Sequence, residues 1–207
     1  MKKYLGYVVT ILTVILARLI PVSYMVGSMG VYFSCTTTIA PVIARHMGLS
    51  WITLFLVTQK SMTLSVLLLH LIRRLPLLGA AYAYKSRHWF ISVIIPVLCM
   101  LLFVMHDIGR QAWPYAMYWL IPVVLWFAVD SIWSRALIAS FVAHGLGSVI
   151  CLYAGDIPVA TWMGLIPIVI IERLLMAGGI VLCEVIIVEY QGLCAKVAQR
   201  MYRAGWL

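Results

Sequence analysis

Six ionisable side chains interrupt the apolar stretches of this 207-residue chain, and they are the first candidates for chemistry. They are Arg18, Lys60, His144, Glu172, Arg173 and Glu184. Insertion scales assign about 2.5 to 3.5 kcal/mol to a charged group at the centre of a membrane helix, so a residue kept there usually has a role. Glu172 with Arg173 or Lys60 would form a neutralised cluster. Such a cluster serves either as a structural ion pair or as a ligand-binding group.

His144 shares one face of a predicted helix with two serines. Ser140, His144 and Ser148 follow each other at intervals of four residues, which places them along a single polar stripe. Small residues beside His144 would let a ligand or a second backbone approach closely. Helix packing and ligand binding are both compatible with this stripe. We predict a substrate-binding set with the following members: Glu172, Arg173, His144, Lys60, Arg18, Trp162 and Ser148.

Several aromatic residues fall near predicted helix ends, where most of them would anchor the helices at the membrane surface. Four of them could instead stack on a flat ring that enters from outside. These four are Trp113, Tyr118, Trp119 and Trp162.

No strong catalytic motif is present. The sequence contains no G-x-S-x-G, no H-E-x-x-H and no paired aspartates, and its five cysteines form no C-x-x-C pair. We therefore predict a protein that is not an enzyme and has no catalytic residue, cofactor or metal site. An intramembrane hydrolase or transferase that uses His144 and Glu172 is the first alternative, and a purely structural membrane subunit is the second.

The composition of the chain indicates the environment that surrounds these side chains. Apolar residues make up 65% of the chain and charged residues 10%. Such a chain needs lipid around most of its surface, which excludes a soluble enzyme, a disordered regulator and a disulfide scaffold. The net charge of +9 comes from basic residues scattered among loops, so we predict no nucleic-acid partner.

Six windows are apolar over roughly the 20 residues needed to cross the hydrocarbon core. They are 4–21, 51–72, 89–106, 115–130, 136–154 and 161–189. The sequence thus predicts an all-α polytopic membrane bundle, with residues 1–207 as one membrane-embedded domain. Residues 23–50 are apolar but contain Gly27, Gly30, Pro41 and Gly48, so they could form a seventh helix or a folded loop.

Loop charge distinguishes these two topologies, since cytoplasmic loops collect Lys and Arg. With six spans, ten basic residues lie inside and only Arg45 and Arg110 lie outside. The ten are Lys2, Lys3, Arg73, Arg74, Lys85, Arg87, Arg135, Lys196, Arg200 and Arg203. A seventh span would reverse this bias. We therefore expect a protein of the cell (inner) membrane with both termini cytoplasmic, and a long external loop at 23–50 with a re-entrant or interfacial piece.

The first predicted span carries small residues on one face. Gly6, Thr10, Thr13 and Ala17 recur at helical spacing and would pack closely against a partner helix, either in this chain or in another protein.

The pattern resembles the substrate-binding S components of energy-coupling factor (ECF) transporters. The matching features are a first helix that ends in Arg18-Leu19-Ile20-Pro21, a long apolar external connection with Tyr32-Phe33-Ser34 and Ile39-Ala40-Pro41, and a short external turn before the last helix. The family has an A-x-x-x-A pair where this chain has its Gly6 to Ala17 face.

The resemblance implies a receptor subunit that binds a vitamin-like small-molecule substrate from outside. It also implies partners: a transmembrane T component that contacts the first helix, two cytoplasmic ATPase subunits, and the surrounding lipid. No Walker A sequence occurs here, which agrees with energy supplied by other chains.

Overall fold

The computed structural model describes residues 21–24, 32–34, 36–47, 64–128 and 130–203. These ranges are helical apart from brief turns and one pair of short antiparallel strands, β1 (Pro21–Tyr24) and β2 (Tyr32–Ser34). The predicted all-α class is therefore confirmed as a helical architecture, with this strand pair as an addition. β1 begins at the last residue of the first predicted span, and β2 lies within the apolar connection at 23–50.

Eight α-helices lie in the described ranges. Their bounds are α1 (Thr36–Met47), α2 (Leu64–Ser86), α3 (Ile95–Met105), α4 (Asp107–Gln111), α5 (Trp113–Ala116), α6 (Leu120–Phe127), α7 (Ile132–Ala154) and α8 (Val159–Arg203). A π-helical turn at Phe90–Ile94 leads into α3, and a 3₁₀ turn at Met117–Trp119 joins α5 to α6.

Two of these helical segments are long and apolar enough to cross a membrane, by length and composition. They are Ile132–Ala154 and Val159–Leu193. Phe90–Met105 and Trp113–Phe127 are apolar but shorter. The described part of the chain thus supports the last two predicted spans by length, and the six-span arrangement stays a prediction.

Helix α2 departs from the predicted second span at 51–72. It continues to Ser86, so Arg73 and Arg74 lie inside a helix and not in a cytoplasmic loop. Pro76 does not end this helix, and its ring lies beside Gly147 of α7, where a Cβ atom would be 3.8 Å from Pro76 Cγ. Beyond Pro76, small buried residues keep α2 packed against α1 and α7.

Helix α1 occupies the region predicted as an external loop. Its 12 residues span about 18 Å, which is too short to cross the hydrocarbon core. It packs against α2 and α8 and runs parallel to α8. Thr37 Oγ1 donates to Met176 Sδ at 3.7 Å near its start, and His46 Nε2 is 3.0 Å from Glu184 Oε1 near its end.

This direction corrects one assignment of the loop-charge scheme. The scheme placed Arg45 outside and Arg135 inside, but both interact with Glu184. Arg45 and Arg135 therefore lie at the same end of the bundle. Sequence spacing could not show this, because the contact joins residues that are far apart in the chain.

Helix α2, the segment Phe90–Met105, the segment Trp113–Phe127, α7 and α8 alternate in direction, which divides the bundle into two ends. One end, which we call the charged end, contains Arg45, Arg87, Asp130, Arg135 and Glu184. The opposite half contains a core cluster built around Phe103, Tyr115, Trp119, Phe141 and Trp162. The two candidate sites of the molecule lie in these two places.

Candidate functional site

Helix α7 carries the polar stripe into the centre of the bundle. Its start is fixed by a capping box in which Ser131 and Ser134 bond reciprocally, so the first turn has partners for its free N–H groups. Further along, Ser140 Oγ donates to the backbone oxygen of Arg173 at 3.2 Å. Ser148 Oγ is 3.1 Å from the Tyr115 hydroxyl. The predicted stripe therefore faces α5 and α8 and not the surface.

His144, in the middle of this stripe, and four neighbouring rings form a group that we call the aromatic cluster. They are Phe103, Tyr115, Trp119, His144 and Trp162. Tyr115 lies at the centre, with ring centroids 5.0 Å from Trp162, 5.4 Å from His144, 5.5 Å from Phe103 and 6.1 Å from Trp119. Most pairs meet edge to face, which is a favourable geometry for aromatic rings.

Three ring nitrogens of the aromatic cluster are buried without a hydrogen bond. Trp119 Nε1, Trp162 Nε1 and His144 Nε2 have no partner among the residues that the structure describes. Trp119 and Trp162 are themselves 0% and 3% exposed. Buried indole N–H groups normally find an acceptor, so this concentration of unpaired nitrogens is unusual for a packing core.

Glu172 and Arg173 lie on α8 close to the aromatic cluster. Arg173 is 2% exposed, and its Nη2 is 3.4 Å from Glu172 Oε2. The charge of Arg173 also acts on the Tyr115 and His144 side chains. The structure thus brings together five of the predicted site residues: Glu172, Arg173, His144, Trp162 and Ser148.

The remaining predicted positions are distributed differently. Arg18 and Lys60, together with the partner-helix face Gly6, Thr10, Thr13 and Ala17, lie outside the described residues. Of the four aromatic residues expected to stack on a ligand, Trp119 and Trp162 belong to the aromatic cluster. Tyr118 stacks on Phe141 and donates to the Ile166 oxygen, whereas Trp113 is 55% exposed.

A second polar group occupies the charged end. Glu184 is 4% exposed, and its Oε1 accepts from His46 Nε2 at 3.0 Å and lies 3.5 Å from Arg45 Nε. The Arg45 guanidinium also lies over the Tyr84 ring, 5.5 Å from its centroid. Helix α1 is therefore joined to α2 by a cation–π contact and to α8 by an ion pair.

Asp130 organises the turn between α6 and α7 at the same end. Arg135 holds it in a bidentate pair, with Nε to Oδ1 at 2.7 Å and Nη2 to Oδ2 at 2.6 Å. The hydrogen bonds from Arg135 lower the pKa of the Asp130 carboxyl from its ordinary value, against the smaller opposing effect of burial. Arg87 lies on the other side of Asp130 and donates to the backbone oxygens of Leu125 and Trp126, near the end of α6.

Two features of these sites were missed by sequence reasoning. Neither Tyr115 nor Phe103 was among the predicted site residues. The ion pair of Glu184 with Arg45 and His46 was also missed, although an acidic residue in one apolar stretch and an adjacent Arg-His pair in another could have been matched by charge.

Comparison with known proteins adds no relative to these observations. No protein-family model, curated protein or solved structure matches the chain.

Proposed function

We propose that this chain is a membrane-embedded subunit that binds a small, vitamin-like micronutrient for uptake and works with separate energising subunits. The observation that carries this proposal is the set of three buried, unpaired ring nitrogens in the aromatic cluster, next to Arg173 and Glu172. A ligand that pairs with those groups would remove the cost of burying them without a hydrogen bond.

The outer face of α8 supports a membrane environment. In the apolar window of Val159–Leu193 only 28% of the residues are buried in the protein. The face turned outward carries large apolar side chains: Ile171, Leu174, Leu175, Leu182, Val185, Ile186 and Leu193. A water-exposed helix of a soluble protein would be polar on that face, whereas lipid is a suitable solvent for it.

The proposed topology keeps six spans and places the charged end in the cytoplasm. Lys85, Arg87 and Arg135 lie at that end, and α8 continues past Glu184 to a basic C-terminal turn, whereas Arg110 lies in the opposite half. This distribution follows the positive-inside rule. Both termini are cytoplasmic in this proposal, and Arg45 belongs to the cytoplasmic end together with Arg135.

The residues of the site have distinct roles in binding. The rings of the aromatic cluster provide apolar contact, while Trp119, Trp162 and His144 provide directed hydrogen bonds. Arg173 supplies positive charge that Glu172 partly neutralises. The hydroxyl pair of Tyr115 and Ser148 fixes the orientation of the central ring, since each hydroxyl is held by the other.

In this proposal the partner subunits supply the energy for transport and drive release of the substrate. Based on the resemblance to ECF S components, a T component contacts the first helix and two ATPases drive release of the substrate inside the cell. The rival function is lipid hydrolysis or group transfer by His144. The ring contacts of His144 with Tyr115, Trp119 and Phe141 suit ligand packing better than proton transfer.

Purification from native membranes in a mild detergent tests the proposal. We expect two ATPases with Walker A sequences and one further membrane protein to be retained, and ATP-dependent uptake of one small molecule after reconstitution of the complex. A protein that is purified alone and hydrolyses lipid, with the activity lost in His144→Ala, would instead support the enzyme. A protein with neither uptake nor turnover would be a structural subunit.

A further inference from the structure

We infer that the last part of α8, from Val188 to Arg203, is a docking helix for a separate protein that presents an apolar groove bordered by carboxylates. We call these 16 residues the α8 extension. The inference goes beyond the proposed function, because the α8 extension begins 26 residues, or about 39 Å, past Trp162 of the aromatic cluster. It relies only on a membrane boundary at the charged end.

The α8 extension lies beyond the described part of the bundle. Val159 and Glu184 are 25 residues apart, a distance of about 38 Å, which already exceeds the hydrocarbon core of about 30 Å. Ile187 still packs against the core that α1, α2 and α7 share with α8. Every side chain that the structure describes from Val188 to Arg203 is exposed. The helix therefore leaves the bundle just past the charged end and continues for about 24 Å.

One face of the α8 extension is an apolar stripe. Its members follow each other at intervals of three, four and four residues, which places them on one side of the helix. They are Tyr190, Leu193, Val197 and Met201, and they are between 42% and 66% exposed. A helix of this length is marginally stable in water unless an apolar face is packed. The stripe also has the spacing with which an amphipathic helix inserts its side chains into an apolar groove.

A basic row borders this stripe. Lys196, Arg200 and Arg203 are spaced by four and three residues, so they lie along one edge of the stripe. Glu189 begins the same row, which leaves it with a net charge of +2. A partner that covers the stripe brings its own border beside these cations. Carboxylates at that border would form charge pairs across the interface and set the orientation of docking.

The chain itself contains no further segment with the required charge. All six of its acidic residues lie in the described ranges. The segments outside those ranges carry Lys2, Lys3, Arg18 and Lys60, and their sequences contain no acidic side chain. Any of these segments would bring like charge, or no charge, to the basic row.

A second copy of the chain is also disfavoured. Two copies in one membrane have the same orientation, so their α8 extensions would pair in parallel. The alternating spacing of three and four residues that joins Tyr190, Leu193 and Val197 continues at Arg200. The two Arg200 side chains would therefore face each other in the seam, and like charges at such positions destabilise the pair.

The membrane surface is too distant from the end of the basic row. Arg200 and Arg203 lie 16 and 19 residues past Glu184, about 24 and 28 Å along one continuous helix. The attraction between anionic lipids and a cation falls off within a Debye length, about 8 Å at physiological ionic strength. A separate protein with carboxylates beside an apolar groove is therefore the occupant that fits both the stripe and the row.

Photo-crosslinking of the full chain in native membranes tests this inference. The photoreactive residue p-benzoylphenylalanine is placed at position 197, in the stripe, or at position 199, which is exposed on nearly the opposite face and serves as the matched control. A water-soluble carbodiimide is the second probe. It activates a carboxylate in contact with Lys196, and the amine then forms an amide while the carbodiimide leaves as a urea. The membrane content and thermal unfolding of every variant are measured in parallel.

We expect position 197 to crosslink one water-soluble protein, and position 199 to crosslink it weakly or not at all. Mass spectrometry should map the crosslink to a peptide with Asp or Glu beside apolar residues. Carbodiimide should join the same protein to Lys196, and Lys196→Arg should abolish that amide but keep the photo-crosslink. Lys196→Glu with Arg200→Glu should lower the photo-crosslink yield about tenfold, because attractive charge pairs become repulsive.

Four results would overturn the inference. The first is a photo-crosslink from position 197 to lipid, to a second copy or to another part of this chain. The second is an equal yield from positions 197 and 199, and the third is the absence of any crosslink in a chain that is folded and inserted. The fourth is a yield that the double charge reversal leaves unchanged.

Discussion

The ion pair at the charged end predicts an asymmetric response to mutation. Glu184 is 4% exposed as a residue, whereas the Arg45 and His46 side chains are 36% and 20% exposed. Loss of Arg45 and His46 would leave a buried carboxylate whose remaining compensation is the charge of Arg135. Loss of the carboxylate would leave Arg45 and His46, whose partly exposed side chains can turn toward water. The two perturbations remove the same interactions, but the groups that remain lower the free energy of unfolding by different amounts.

The magnitudes follow from this difference in burial. Arg45→Met with His46→Phe should lower the free energy of unfolding by about 3 to 5 kcal/mol, the usual cost of breaking a buried pair from one side. Glu184→Gln should lower it by about 1.5 to 3 kcal/mol, the range for hydrogen bonds to charged groups. A triple variant with Glu184→Leu should recover most of the loss, because no buried charge remains.

Equilibrium unfolding in detergent, measured for all four proteins at one pH, provides the comparison. The contacts of Glu184 with Arg45 and His46 join α1 to α8, so protection of α1 from proteolysis should follow the same order. The reasoning would be refuted if Glu184→Gln were the most damaging change, or if the triple variant were no more stable than the double variant. Either result would mean that the carboxylate has partners that matter more than Arg45 and His46.

Two further predictions concern packing and pH. Gly179→Ala should destabilise the protein by about 1 to 3 kcal/mol, because its Cβ would lie 2.8 Å from Thr38 Cγ2, and Thr38→Ser should relieve this clash. Gly164→Ala on the same helix, with no atom within 4 Å, should instead stabilise by up to about 1 kcal/mol in the same unfolding assay. The hydrogen bonds from Arg135 lower the folded-state pKa of Asp130, so ionised Asp130 adds to the free energy of unfolding. This stabilisation is complete above the unfolded-state pKa of Asp130 and is lost as the pH falls through the folded-state pKa. Since the Asp130 side chain is 44% exposed, this loss should not exceed about 1 kcal/mol, and Asp130→Asn should remove it from the unfolding profile measured against pH. An unchanged acid profile in Asp130→Asn would contradict the assignment.

The sequence was most informative where local rules decide the structure. The apolar runs before and after residues 155–158 predicted α7 and α8 to within a few residues at three of their four ends. The spacing of Ser140, His144 and Ser148 predicted one shared helix face, and that face lies toward the interior. Both results depend only on helix periodicity and hydropathy, which a single sequence contains.

The errors arose where a distant contact overrides a local rule. Arg73 and Arg74 were assigned to a loop because loops collect basic residues, but α2 continues through them and packs its later turns against α1 and α7. The loop-charge scheme also put Arg45 on the opposite side of the membrane from Arg135, although the two lie at the same end of the bundle. The position of Arg45 is set by Glu184, which is 139 residues away in the chain, and no periodicity could reveal that pairing.

The aromatic cluster shows the same limit for the site. Trp162 and His144 could be proposed from their own helices, but the unpaired state of their nitrogens depends on how α5, α7 and α8 meet. Tyr115, at the centre, lies in the four-residue helix α5 just before a 3₁₀ turn, so its direction is not set by a long run of helix periodicity.

The most direct test of a receptor built on the aromatic cluster is native mass spectrometry of the protein released from native membranes. We predict one small molecule bound at a ratio of one per chain, retained in Trp126→Phe and depleted in Trp119→Phe and Trp162→Phe. A chain that carries only lipid, or a bound molecule whose occupancy is the same in all three variants, would contradict the placement of the binding site in this cluster.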